Sequence, residues 1–278
     1  STPLWSYNTG DYVYSVAISA DGEYIAVGSR DNKVHLFDKD SSTPLWSYNT
    51  GDYVYSVAIS ADGEYIVAGS DDGVYLFDKD SSTPLWNYAI GENVESVTLS
   101  ADGEYIVVGG DDHKVYLFDK DSSTPLWSYD VGYNVYSVTI SADGEYIAAG
   151  SQDYKVYLFD KDSSTPLWSY ETGNYVLSVA ISADGEHIAA GSKDDKVYLF
   201  DKDSSTPLWS HDTNNIVLSV SISADGEYIV AGTNQFENDE DEVIFFDKDS
   251  STPLWSYATG NDGSSVAISA DGEYIAGS

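Results

Sequence analysis

Cysteine and methionine are both missing from this sequence of 278 residues. Without cysteine there is no disulfide, no thiolate metal site and no cysteine nucleophile, and the redox compartment is left open. Without methionine, Ser1 is not an initiator residue. It is expected to follow a processing cut or further sequence, as an excerpt of something larger would. Basic residues are scarce: 12 Lys and Arg stand against 47 Asp and Glu, for a net charge of -35, and Arg30 is the only arginine. Such a surface repels phosphate backbones and anionic membranes, so nucleic acid is excluded as a partner. No run approaches the roughly 18 apolar residues that span a membrane, and membrane insertion is not expected. Yet 42% of the residues are hydrophobic and 14% aromatic, 24 of them Tyr. That is enough to bury a core, so the chain should fold despite its charge.

What is present is a repeat. The run STPLW occurs seven times, with Trp at 5, 46, 86, 127, 168, 209 and 255, and SADGE recurs seven times at the same spacing of about 41 residues. No linker interrupts the array, so residues 1–278 are expected to form a single domain. Within a unit the apolar runs are short, β-branched or aromatic, and separated by turn residues, which predicts strands over Leu4 to Tyr7, Val13 to Ser19, Tyr24 to Ser29 and Lys33 to Asp38. Asp21-Gly22 signals a two-residue hairpin. Pro3 suits an outermost position for the Trp strand, and the small residues Ser15, Ala17 and Ser19 suit an innermost one for the second. Four-stranded antiparallel units at this period predict an all-β fold, a seven-bladed β-propeller in which stacked sheets supply the stability one small sheet lacks. The third strand, ending in FDKD, occurs only six times. The closing blade is therefore expected to be incomplete, with three strands: Leu4 to Tyr7 beside Ser264 to Ile268 and Tyr274 to Ser278.

SVAISADGEYIAVGSRDNKVHLFDKD resembles a WD-repeat, whose pattern has an inner strand, a DG turn, a strand ending in GS and a third strand ending in WD. Phe37-Asp38 replaces that WD and Thr9-Gly10 its Gly-His, while Ser29 and Asp31 match two members of the family's hydrogen-bond network. VYLFDKDSSTPLWSY is similar to pyrroloquinoline-quinone-type repeats, and that resemblance implies a Trp docked between blades. Both resemblances cover the whole chain and imply fold more than activity.

The copies differ unevenly. SADGE and FDKDSSTPLW are invariant wherever present, while the segment before the inner strand varies (DYVY, DYVY, ENVE, YNVY, NYVL, NIVL, NDGS), as does the turn before the third strand (RDNK, DDG, DDHK, QDYK, KDDK and an insertion). In an up-and-down blade alternate connections emerge on the same side, so the variable stretches share one face. The candidate partner-binding residues there are Tyr12, Tyr14, Arg30, Asn32, Tyr53, Tyr55, Glu92, Glu95, His113, Tyr133, Tyr136, Tyr154, Tyr175, Lys193, Asn215 and Phe236. Tyrosine is a rigid amphipathic contact residue typical of interfaces. The alternative is drift in surface turns, with some tyrosines filling gaps between blades. The insertion 233–243 carries Glu237, Asp239, Glu240, Asp241 and Glu242, which could hold a hard cation. It lacks the spacing of a calcium loop and reads first as a solvated acidic hairpin.

No catalytic constellation stands out. His35, His113, His187 and His211 fall at different places in different copies and cannot converge on one metal, and carboxylate pairs occur everywhere the repeat does. The chain is expected to be a non-enzymatic interaction scaffold, without a cofactor, for a protein, peptide or glycan, possibly basic. It would be a monomer or associate through the incomplete blade, with an extracellular or cell-surface location. The alternatives are a purely structural or amplified propeller without a ligand, and a relative of quinone-dependent dehydrogenases, against which seven copies and a single Arg argue. Since the invariant loops hold about -20 of the -35 and the variable remainder about -15, both faces are acidic. Self-repulsion should destabilise the fold at low ionic strength. Raising NaCl from near zero is therefore expected to raise the melting temperature; a fall would contradict this charge account.

Overall fold

Alternating apolar residues and turn-forming punctuation fold here into strands alone. The computed structural model describes residues 3–234, 241–260 and 265–277. It is all-β: six four-stranded antiparallel sheets and one two-stranded sheet, the sheet inventory of a seven-bladed propeller with an incomplete closing blade. The first blade comprises Val13–Ile18, Tyr24–Ser29, Lys33–Asp38 and Trp46–Asn49, hydrogen-bonded in that order, so the Trp strand is outermost in its sheet as expected. Contacts divide the chain into two compact units, 1–130 and 131–278. The first holds the blades 13–49, 54–89 and 94–130, and the second the blades 135–171, 176–212 and 216–260 with the two-stranded sheet Val266–Ile268 and Ile275–Gly277.

Within each unit a blade buries its middle strands against the next. Ala26, Val34 and Leu36 of the first blade lie against Val54, Val57 and Ile66 of the second, all buried. Val54 and Val57 are 0% and 5% exposed, whereas Val13 and Val16, their equivalents in the first blade, are 50% and 65% exposed. Polar groups tie the inner strands together: the Val57 amide donates to Ser15 Oγ (3.1 Å) and the Val97 amide to Ser56 Oγ (3.1 Å). The second unit repeats the bond from Val179 to Ser137 and from Val220 to Ser178. The alternating serines are thus connectors between sheets as well as small residues in a crowded place. At the outer edge the Trp46 indole donates Nε1–H to the Lys79 carbonyl of the next blade (2.7 Å) and lies 5.3 Å from the Phe77 ring. Trp86, Trp168 and Trp209 repeat this on Lys120, Lys202 and Lys248 at the same 2.7 Å. The docking of Trp between blades is therefore present.

Two expectations need correction. The DG turn is a four-residue connection, 20–23, because the Ser19 amide donates to the Tyr24 carbonyl (3.0 Å). Asp21 accepts from Ser19 Oγ (2.6 Å) and from the Glu23 amide (2.9 Å), a local side-chain turn that holds the loop wider while Gly22 supplies φ +72°. The closing sheet has two strands among the described residues, where three were expected. Leu4 to Tyr7 is not a strand: it is held by its ring, with Trp5 stacked on Phe37 at 5.5 Å and bonded to the Lys39 carbonyl, while Leu4 is exposed.

Trp168→Phe keeps a ring against Phe200 but leaves the Lys202 carbonyl without its indole donor. It should cost about 1–2 kcal/mol in chemical denaturation. Trp255→Phe, at an exposed indole with no described acceptor, should cost less than about 0.5 kcal/mol. Equal losses would show that the carbonyl bond is not what the indole contributes.

Candidate functional site

The repeat sends its invariant and variable connections to opposite ends of each sheet. At the invariant end the polar groups are spent internally. Lys39 pairs with Glu23 (2.8 Å) and Asp40 (3.1 Å), and the same Lys-Glu-Asp set recurs at Lys79, Lys120, Lys161, Lys202 and Lys248. The Asp21, Asp62, Asp225 and Asp271 carboxyls are held below the usual carboxylate range by the preceding Ser hydroxyl and by the following Glu amide. Successive DG turns are linked through their backbones, Ala20 to Ala61 and Ala61 to Ala101 in the first unit, and Ala142 through Ala183 and Ala224 to Ala270 in the second.

At the variable end the side chains project. The inner strand carries a bulge in every four-stranded blade, one extra residue between the conserved Val and Ser. Bulges re-aim a side chain. The residues they carry are Tyr14, Tyr55, Glu95, Tyr136, Leu177 and Leu218, of which the first four were singled out from sequence and the two leucines were missed. The Val-x-Ser pattern was the available signal. A second device is the turn before the third strand, where Asn32, His113, Tyr154 and Asp195 adopt left-handed φ of +67°, +71°, +74° and +67°. Only glycine takes this conformation without steric cost, and a bulky side chain there is an outlier held by its surroundings. For Tyr154 the holding is visible: its carbonyl accepts from both the amide and the hydroxyl of Thr172, each at 2.7 Å.

In the first unit the bulge residues Tyr14 and Tyr55 lie with Tyr12, Arg30 and Tyr53. Arg30 lies over the rings of Tyr12 (5.8 Å) and Tyr53 (5.1 Å), and the Tyr14 and Tyr55 rings stack at 5.3 Å. Hydrogen bonding to Tyr53 pushes the guanidinium higher still, so it is always charged. Burial, reinforced by Asp71, raises the Tyr55 phenol. In the same unit Glu92, Glu95 and His113 each interact electrostatically with Asp111. Burial raises the Glu95 carboxyl, with Asp111 and then Asp71 adding to it; burial, and Glu92 more weakly, raises Asp111. Asp71 and Asp111 belong to the site and were not selected from sequence, because the repeat offers carboxylates everywhere.

In the second unit Tyr133, Tyr154 and Tyr175, with Gln152 and Asp153, line a shallow cavity of about 210 Å3. Tyr154 and Tyr136 approach the Tyr175 ring at 5.6 and 6.1 Å, and the Lys193 ammonium lies 5.5 Å over it. Three selected residues stand apart. Asn32 is turned inward, donating Nδ2–H to the Gly51 carbonyl (3.0 Å). Asn215 closes a local turn with Thr213. Phe236 lies outside the described residues, as do Glu237, Asp239 and Glu240 of the acidic insertion. Asp241 and Glu242 open a strand, Asp241 buried beside Asn234. His35 is also buried, bonded to Ser47 (2.7 Å) and Asp31 (3.1 Å), and burial lowers its pKa. It fills the place of the tyrosine that in other blades donates to the equivalent Asp, as Tyr198 does to Asp194 (2.6 Å).

Sheets of this repeat, docked through a conserved Trp and variable at one end, define a propeller of the WD and quinone-type repeat class. The family described as outer membrane protein assembly factor BamB matches residues 2–131 and 89–182, and the WD domain, G-beta repeat family matches 164–201. The first covers more than half of the 278 residues, and the chain belongs to that family. No curated protein matches the chain.

At neutral pH the Glu95 carboxylate opposes folding. Its raised value means that the folded state favours the protonated form, so the stability it allows is present below the ordinary value near 4.3 and is lost as pH rises through the folded value. Glu95→Gln should therefore melt higher than wild type at pH 7 and converge with it below pH ~4. A variant less stable at pH 7 would show that the charge is compensated.

Proposed function

We propose that the chain is a non-enzymatic interaction scaffold whose variable end binds protein or peptide segments carrying basic groups. The observation that carries this reading is the contrast between the two ends. The invariant end closes its charges on one another, while the variable end holds exposed rings, Tyr12 at 69% and Tyr133 at 58%, together with Tyr14 (45%) on a bulge and Tyr154 (40%) on a left-handed turn. Backbone strain beneath an exposed aromatic is not needed for packing and fits a presented contact surface. Carboxylates beside the rings, Glu92, Glu95 and Asp111 in one unit and Asp153 in the other, suit lysine or arginine partners that lay an alkyl stem on a ring and a charge on an acid. The descriptions of the matched families, an assembly factor and a WD domain, support an interaction role over turnover. An extracellular or cell-surface location belongs to the same proposal and rests on the strongly acidic surface.

The test is a panel of lysine- and arginine-containing peptides against the chain and a variant with Tyr14, Tyr53, Tyr154 and Tyr175 changed to Ser. Binding is expected to weaken at least tenfold in the variant and to fall with salt. Peptides that bind both chains equally would show that charge alone is being read and would overturn the tyrosine-centred reading.

A further inference from the structure

One position of the variable end changes its charge from blade to blade. It is the residue that follows the second strand, and in four blades one backbone bond fixes it: the amides of Arg30, Asp111, Gln152 and Lys193 donate to the carbonyls of Tyr12, Asn93, Asn134 and Tyr175 at 2.8 or 2.9 Å. The backbone is the same in each, so the framework leaves the side chain open. Where that side chain is a cation, it lies on the tyrosine to which its own amide is bonded, Arg30 over Tyr12 (5.8 Å) and Lys193 over Tyr175 (5.5 Å). Arg30 also reaches the next blade, over Tyr53 at 5.1 Å.

These two cations are left without a carboxylate. The lysines of the invariant end each pair with an acid, as do Lys33, Lys114 and Lys155 on the third strands. Arg30 and Lys193 form no ion pair among the described residues, in a chain with 47 acidic residues. Asp11 acts on the Arg30 charge more weakly than Tyr53 and Tyr14 do, and its carboxylate accepts from the Tyr12 amide (2.8 Å). The Arg30 Nε–H is buried and has no acceptor, an uncompensated donor that the rings hold in place. Across the tyrosines the sign of the charge reverses: the Tyr53 ring meets Tyr55 edge-on at 6.4 Å, and Asp71 and Glu95 adjoin the Tyr55 phenol.

We propose that Arg30 receives a carboxylate of the bound peptide, its C-terminus or a Glu or Asp side chain, while Asp71 and Glu95 take its basic group. This rests on the reading of the variable end as a peptide-binding surface and adds an acidic group to what that end recognises. The chemistry is that of a guanidinium. Its planar fork of donors matches a carboxylate, charge-assisted hydrogen bonds are the stronger kind, and a cation already seated on two rings loses little freedom on binding. A phosphate dianion is the poorer fit, since the carboxylates around the tyrosines repel its second charge. Lys193 repeats the seat in the second unit with a point charge.

Arg30 is the only arginine, so the Nε–Hε region of a nitrogen-15 correlation spectrum of the whole chain holds one arginine signal. Three acetylated peptides are titrated into it: Lys-Gly-Gln-Gly as its amide, the same peptide as the free acid, and Lys-Gly-Glu-Gly as its amide. At least one of the two acidic peptides is expected to bind about tenfold more tightly than the neutral one and to shift the Arg30 signal. Which of them does so tells a C-terminus from a side chain. Arg30→Gln should bind all three alike with its backbone spectrum otherwise unchanged, and Arg30→Lys should keep part of the preference. Equal binding of the three to the wild type, or a preference that survives in Arg30→Gln, would overturn the proposal and leave the basic-peptide reading standing. Replacing the peptide Lys by norleucine separates the two: if that changes nothing while the acid preference persists, the basic-peptide reading falls and the carboxylate site stands. Absence of binding by all three peptides would overturn both.

Discussion

The tryptophan of each outer strand makes the repeat work. A four-residue strand such as Trp46–Asn49 has little to bury by itself, and an isolated small sheet is marginal in water. The indole overcomes this by reaching into the neighbouring sheet, where its ring lies on a phenylalanine and its N–H satisfies a lysine carbonyl. That lysine lies between the phenylalanine and the turn, so one side chain fixes the spacing of two sheets at their outer edge while the serine hydroxyls fix it at the inner. The invariance of FDKDSSTPLW follows from this: the Phe and Lys of one blade and the Trp of its neighbour must meet in one place, and a change in any of them disturbs a junction and not just a loop.

Because the junctions and the DG turns hold the framework, the opposite end is free to differ. The bulge before each inner serine, and in four blades the left-handed residue before the third strand, set positions whose side chains the framework does not specify. One blade can therefore present Tyr14, another Glu95 and another Leu177 from the same backbone. Leu177 and Leu218 in these positions show that the variable end is not uniformly aromatic, and the two tyrosine groups are local features of their units. His35 shows the reverse case. Its substitution falls in a buried position, so it was absorbed into a Ser47–His35–Asp31 bridge and changed no surface.

Much of this was legible in the sequence because the repeat states it many times. Period-two alternation and turn residues located Tyr24–Ser29 and Lys33–Asp38 to the residue. The DG turn was read as two residues because Asp-Gly is the short-hairpin signal; the Ser19–Asp21 bond that widens it is a side-chain preference invisible to that rule. Leu4 to Tyr7 was read as a strand because its LWSY recurs at Leu45 to Tyr48, which the strand Trp46–Asn49 overlaps, yet a strand is defined by its ladder and not by its residues. The candidate site was legible as a pattern of variation. Which rings meet was not, since the Tyr14–Tyr55 stack and the Arg30 position depend on the register of two sheets and on bulges with no sequence signature beyond one extra residue.

The central claim is a division of labour, with stability held at the junctions and the invariant end, and the variable tyrosines kept for contact. Thermal unfolding of a chain with Tyr12, Tyr14, Tyr53, Tyr133, Tyr154 and Tyr175 all changed to Ser tests it most directly. The account predicts a smaller loss of stability from those six changes together than from Trp168→Ala alone. A larger loss would contradict it, showing that the tyrosines are part of what holds the blades together.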